Sequence, residues 1–259
     1  MNAPVTDGVL RCLRPQPGAT ARIVCFPHAG GGPNSFRGLA MSLAPTIEVW
    51  EVMLPGRGSR SGEAFATTWQ DLVAELTDAV ERQLGSAGHA GHGPTAFFGH
   101  SFGGLVAYEV AGELQRRQRR PPDHLFVSGC RAPHRGDANR WPLPDDDEGL
   151  VTEVEERYGA IPQAVRSEPT LLARFLPILR ADLALFNSYV WDPARTLTIP
   201  ITAMAGNADK AGPPHELPYW GERTDAEFRS ITMLGTHFFV YSEVDEIGAV
   251  VRRSLLGEQ

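Results

Sequence analysis

Cysteine is scarce: Cys12, Cys25 and Cys130 are the only three in 259 residues, and their spacing fits neither a disulfide framework nor a metal site. Cys25 and Cys130 fall in or at the end of apolar, strand-like runs, so reduced structural thiols are expected. Long hydrophobic runs are lacking too. The first 17 residues hold no stretch that could serve as a signal peptide, and no later segment reaches the roughly 20 apolar residues that cross a bilayer. The expected compartment is therefore the cytoplasm, without a membrane partner. Positive charge is in deficit as well, with 24 Lys and Arg against 31 Asp and Glu and a net charge of -7. That balance opposes the phosphate contacts on which nucleic-acid binding depends. His89 and His92 sit in a Gly-rich stretch without further ligands, so no metal is expected, and no internal repeat is evident.

What is present is ordinary globular composition, 42% hydrophobic and 21% charged, enough to bury one substantial core and expected to form one domain over 1–259. Short β-rich runs at 22–26, 47–52, 95–98, 125–128, 201–205 and 228–232 alternate with helical patterns. Residues 68–84 carry the apolar spacing of a helix resting one face on a sheet, with Thr67 or Thr68 as cap, and a second helix is expected over 102–117. Repeated alternation predicts an α/β fold with a mainly parallel sheet covered by helices on both faces. Between 131 and 198 the rhythm breaks, and helical patterns near 148–158 and 170–189 predict an inserted helical lid. The second of these is apolar around much of its circumference, which suits either a face toward an acyl group or packing on the core below.

Gly99-His100-Ser101-Phe102-Gly103 stands between a predicted strand and a predicted helix, the setting in which G-x-S-x-G forms a nucleophile elbow. A serine hydroxyl is a weak nucleophile near neutral pH, so the motif requires a base and an acid that orients it, in the chain order Ser, Asp, His. His237, in the loop Gly235-Thr236-His237-Phe238-Phe239 after the last predicted strand, is the expected base. Asp209, a short Gly-Asn-Ala turn beyond the strand at 201–205, is the expected acid, because active sites of such sheets gather at their carboxyl ends. Asp182, Asp225 and Asp245 lack that placement. Two backbone donors should face the developing oxyanion, each worth about 2.7–4 kcal/mol in comparable sites. One is assigned to the Phe102 N–H and the other to the Ala29 N–H in the His-Gly-rich loop after the first predicted strand. His28 is read as a structural hydrogen-bonding residue.

Taken together, Phe26-Pro27-His28-Ala29-Gly30-Gly31, Leu54-Pro55-Gly56-Arg57, Gly99-His100-Ser101-Phe102-Gly103-Gly104 and Gly235-Thr236-His237-Phe238-Phe239, with Trp220 between acid and base, resemble the free-standing type II thioesterases of polyketide and nonribosomal peptide synthesis. The resemblance spans nearly the whole chain. It implies an α/β-hydrolase fold and an editing activity, hydrolysis of stalled acyl groups from the phosphopantetheine arm of acyl or peptidyl carrier proteins. It implies no cofactor of the enzyme's own, since the arm belongs to the carrier, and a monomer is the simplest assembly. Two departures stand out: Phe102 where the family more often has Met, and Lys210 beside Asp209, a cation able to compete for the carboxylate. A carboxylesterase or acyltransferase on the same fold, and a silent carrier-protein binder, remain alternatives. Arg116, Arg117, Arg119 and Arg120 read as a solvated helix end or a carrier-docking patch, and Arg57 and Arg60 either as exposed-turn residues open to phosphate or carrier carboxylates or as structural parts of the Pro-Gly-Arg turn.

Overall fold

The computed structural model describes residues 8–84, 93–135, 140–159, 161 and 163–258, so His89 and His92 lie outside the described residues. Strands β1 (Leu10–Cys12), β2 (Ala21–Phe26), β3 (Ile47–Val52), β4 (Thr95–His100), β5 (His124–Ser128), β6 (Ile201–Gly206) and β7 (Phe228–Met233) form one sheet in the order β1-β3-β2-β4-β5-β6-β7. From β3 across to β7 all neighbours are parallel; β1 alone pairs antiparallel, with Leu10 opposite Val52. Six of these strands follow the runs expected from sequence. The edge strand β1 was not expected, because three residues of mixed polarity carry no period and pair only once β3 is in place.

Burial on both faces explains the continuous apolar runs. In β2, Val24 and Phe26 point into the core shared with Leu72 and Leu76 of α2 (Trp69–Leu84) and Leu105 and Val106 of α3 (Phe102–Arg116). Ile23 and Cys25 point the other way, onto Leu39 and Leu43 of α1 (Arg37–Leu43) and Ile247 and Val251 of α7 (Val244–Leu256). Side chains alternate across a strand, so one sheet feeds two cores. Thr68 is the α2 cap: its hydroxyl oxygen accepts the Asp71 N–H at 3.1 Å.

Between β5 and β6 the inserted segment carries α4 (Asp147–Tyr158), α5 (Gln163–Arg166) and α6 (Pro169–Asn187). Asp146 starts α4 by accepting the Gly149 N–H at 2.7 Å, and Gly159, at φ 60°, ends it in the left-handed conformation. Trp141, Leu150, Val154, Leu176, Leu179 and Leu183 give the segment a core of its own. Leu185 of α6 belongs instead to the α2–α3 core, and the Trp69 indole N–H donates to its carbonyl at 2.7 Å. Helix α6 thus packs below and also lines a cavity. Among the described residues no helix is long and apolar enough to cross a membrane.

The buried histidines make the fold acid-sensitive. His124, stacked on Phe126 and bonded to the Thr202 hydroxyl at 2.9 Å, has its pKa pushed down to about 4 by burial, and burial holds His100 well below its ordinary value. Each is neutral when folded but takes a proton near pH 6.5 when unfolded. Their contribution to stability is therefore complete above pH 6.5 and is lost as pH falls, for His124 down to about 4. His124→Phe, which keeps the ring stack, is expected to lose less thermal midpoint than the native chain between pH 7 and pH 4.5. Parallel melting curves of the two would contradict this.

Candidate active site

Ser101 closes β4 and opens α3 at φ 55°, ψ -122°, a conformation that side-chain-bearing residues rarely hold. Its N–H donates to the Ser128 carbonyl at 2.8 Å and its carbonyl accepts the Gly104 N–H at 2.8 Å, so the turn is tied on both sides. The strained turn lifts the hydroxyl above the carboxyl edge of the sheet, at the amino end of α3.

His237 reaches that hydroxyl from the loop after β7, with Nε2 3.0 Å from Ser101 Oγ. Its other nitrogen, Nδ1, lies 3.1 and 3.0 Å from Asp209 Oδ1 and Oδ2, in the loop after β6. A carboxylate only accepts, so Nδ1 carries the proton and Nε2 is left to accept from Ser101. Asp209 and His237 are both 3% exposed. Burial alone would raise the Asp209 pKa, but the His237 hydrogen bond and charge, with the N–H groups of Gly212 and Ala211, outweigh it and hold the carboxyl below its ordinary range. The two loops are also laced together, Ala208 N–H to the Gly235 carbonyl at 2.9 Å and Gly235 N–H to Asn207 Oδ1 at 3.0 Å. Acid and base are therefore held as one unit.

The residues expected to supply the oxyanion donors share a cavity with the hydroxyl. Ala29 and Phe102 line the same cavity as Ser101, and among the described residues neither of their N–H groups donates to a protein acceptor. The cavity continues between Phe102, Leu105, Val154, Leu179, Leu183 and Phe186, an apolar slot formed by α3 and the inserted segment. Phe102 itself is buried, edge-on to Trp69 at 5.5 Å and to Phe186 at 6.5 Å, which narrows the slot. The expected face of α6 toward a ligand is its Leu179, Leu183 and Phe186 side.

Three further side chains pack around the site, and of these the sequence singled out only His28, as a structural residue. Tyr158, at the end of α4, is half-buried with its ring 5.2 Å from that of His237, and desolvation raises its pKa. His28 Nδ1 faces the Ala29 carbonyl at 2.9 Å and so must be the protonated nitrogen, leaving Nε2 to accept from the Tyr241 hydroxyl at 2.8 Å. Burial lowers the His28 pKa to about 4, so it stays neutral, the structural residue expected. His100 lies under His237 with ring centroids 5.1 Å apart and bonds Ser128 Oγ at 3.1 Å. None of these contacts has a local sequence signal.

Other sequence candidates sort as follows. Lys210 is exposed and does not turn inward, leaving Asp209 to His237 and the loop amides. Arg57 and Arg60 are not exposed-turn residues: each is 4% exposed. Arg60 bonds Glu63, Glu75 and the Met53 carbonyl, while Arg57 forms a bidentate pair with Asp182 at 2.6 Å. Their planar forks fill with carboxylate and carbonyl oxygens, which is what makes burial tolerable. Asp225 and Asp245 are exposed and away from the base. Arg116, Arg117, Arg119 and Arg120 pair with Glu113, Asp78, Glu81 and Asp123, the solvated helix end of the two readings. Among the described residues no cluster of His, Cys, Asp and Glu is placed to hold a metal ion.

Comparison with known proteins points to one family. A family model described as a thioesterase domain matches residues 21–255. The chain is 32% identical over 238 residues to "Thioesterase PikA5" of Streptomyces venezuelae, covering 92% of this chain and 82% of that protein. Among solved structures, the RedJ thioesterase from the prodiginine pathway of Streptomyces coelicolor aligns at TM-score 0.79 and 35% identity, over 92% of this chain and 86% of that one. The type II thioesterase BorB of the borrelidin cluster aligns at TM-score 0.79 and 29% identity, over 96% and 97%.

Proposed function

The chain belongs to the thioesterase domain family and has its α/β-hydrolase fold, and from that premise we propose that Ser101, His237 and Asp209 are nucleophile, general base and orienting acid in hydrolysis of acyl thioesters on the phosphopantetheine arm of acyl or peptidyl carrier proteins. One observation carries the reading: the continuous Ser101–His237–Asp209 hydrogen-bond chain at the mouth of an apolar slot. His237 Nε2 takes the hydroxyl proton as Ser101 Oγ attacks the thioester carbonyl. The oxyanion so formed is held by the Ala29 and Phe102 N–H groups. Collapse breaks the carbon–sulfur bond, and the His237 proton goes to the leaving thiolate, freeing the carrier thiol. Water then attacks the acyl-serine, His237 takes its proton and returns it to Ser101 Oγ, and the carboxylic acid departs.

The buried Asp209 carboxylate stabilises the imidazolium during both halves without taking its proton. His28 and His100, kept neutral by burial, add no competing positive charge. The apolar slot suits an acyl chain, and the homologues named for polyketide and peptide pathways favour a carrier-bound one. The three thiols are free, in keeping with the cytoplasm in which such synthases work.

Mass spectrometry of acyl-loaded carrier proteins before and after the enzyme is the direct test. Loss of the acyl mass and return of the free thiol are expected, at a kcat/KM well above that for a simple ester of the same acid. A carrier left acylated while the ester is consumed would move the assignment to a carboxylesterase. Transfer to an added alcohol in place of water would move it to an acyltransferase.

A further inference from the structure

A buried ion pair joins three segments that are distant in sequence at one peptide bond beside Ser101. Asp182, from the middle of α6, accepts both η nitrogens of Arg57 at 2.6 Å, and its Oδ2 also accepts the Gly30 N–H at 2.8 Å. Arg57 spends its remaining N–H groups on the Gly31 carbonyl at 3.2 Å and the Pro55 carbonyl at 3.3 and 3.4 Å. Both side chains are nearly inaccessible, Asp182 at 6% and Arg57 at 4%. The pair lies outside the Ser101–His237–Asp209 chain and touches none of its members.

The consequence falls on Ala29. The peptide between Ala29 and Gly30 is held at its carbonyl by the His28 Nδ1–H and at its N–H by Asp182. The preceding peptide is held at the His28 carbonyl, which accepts the Gly31 N–H at 2.9 Å. A trans peptide directs its N–H opposite to its C=O. With that carbonyl engaged, the Ala29 N–H is turned away from the loop and left free for the oxyanion. Gly30 itself, at φ 77°, takes a backbone conformation that needs such restraint, and its Cα faces Phe175 and Leu179 of α6.

We propose that Asp182, through its pair with Arg57, is a positioning residue for the oxyanion hole, so that the Ala29 donor is aligned only while α6 is seated over the slot. This rests on the reading of Ala29 as a donor. An aligned donor of this kind is worth about 10²- to 10³-fold in kcat, and a donor free to turn away forfeits part of that. The inserted segment thereby completes the hole as well as lining the acyl slot.

Two variants test the idea. Asp182→Asn keeps the shape but sets an amide against the guanidinium, and is expected to lower kcat for an acyl-pantetheine thioester by about 10- to 100-fold with KM within about threefold. The inhibition constant of a straight-chain alkylboronic acid, whose tetrahedral serine adduct needs the hole, should rise by the same factor. Arg57→Met/Asp182→Leu removes both charges and keeps the volume, a change that buried pairs often tolerate without loss of stability. It should regain most of the thermal midpoint lost by Asp182→Asn yet stay slow and bind the boronate weakly. A double variant restored in both midpoint and kcat would show the pair to be structural alone, and native kcat and boronate affinity in folded Asp182→Asn would overturn the proposal outright. Failure of the native chain to bind the boronate would instead count against the serine-hydrolase reading beneath it.

Discussion

Ser101→Ala and His237→Ala are each expected to lower kcat for thioester hydrolysis by roughly 10⁴- to 10⁶-fold, and the double variant to be no worse than either alone. The reason is geometric. Nε2 of His237 is 3.0 Å from Ser101 Oγ, and the two act as one unit, so removing either removes both. Asp209→Asn should lose about 10³- to 10⁴-fold, up to about 5 kcal/mol of transition-state stabilisation. Its Oδ1 can keep the Ala211 and Gly212 N–H groups at 2.9 and 3.0 Å, which turns the new amide toward His237 Nδ1. An amide donates where the carboxylate accepted, so the proton of the neutral ring moves to Nε2 and the base can no longer accept from Ser101. A fluorophosphonate probe should label the native chain, label Asp209→Asn slowly and leave Ser101→Ala unlabelled. Native turnover by His237→Ala would remove that residue from the role of base.

Those three positions were legible because each follows from local pattern. Ser101 sits in a motif whose strand-turn-helix setting can be read from its neighbours, while Asp209 follows the buried strand β6 and His237 follows the partly exposed strand β7 at the same sheet edge. The strands themselves were legible because a sheet covered on both faces buries every residue of β2, and the apolar run at 23–26 records that. Pair contacts leave no such record. Arg57 and Asp182 are 125 residues apart, and His28 and Tyr241 are 213 apart. An arginine in a Pro-Gly turn reads as solvated until a carboxylate from another segment is seen to enclose it. Tyr158 likewise ends a helix that the pattern near 148–158 predicts, yet only the path of the inserted segment brings its ring to His237. Short α1 and the three-residue β1 were missed for a related reason: helices below about two turns, and strands too short to repeat the two-residue alternation, owe their form to tertiary packing more than to their own sequence.

Gly103→Ala is expected to be the most damaging conservative change outside the hydrogen-bonded chain itself. A Cβ at position 103 would lie 2.1 Å from the Phe26 carbonyl oxygen and 2.6 Å from that of Pro27. These obstacles are backbone, so relief requires α3 and the end of β2 to separate by about 1 Å. Separation acts directly on the chemistry, because Phe102 precedes Gly103 on one side of the gap and Ala29 follows Phe26 and Pro27 on the other. In the proposed mechanism the Ala29 and Phe102 N–H groups must converge on one atom, which they can do only while the two backbones stay in contact. Overpacking of this kind costs about 1–3 kcal/mol of stability, and displaced donors a further 10²- to 10³-fold in kcat. Neighbouring glycines provide the scale. Gly104→Ala meets the Cys130 side chain at 2.9 Å, which can yield, and should be milder. Gly32→Ala, in the loop of Ala29 itself, meets nothing within 4 Å and should keep both thermal midpoint and kcat. If Gly103→Ala matched Gly32→Ala in both measurements, close contact between α3 and β2 would not be what holds the two donors together.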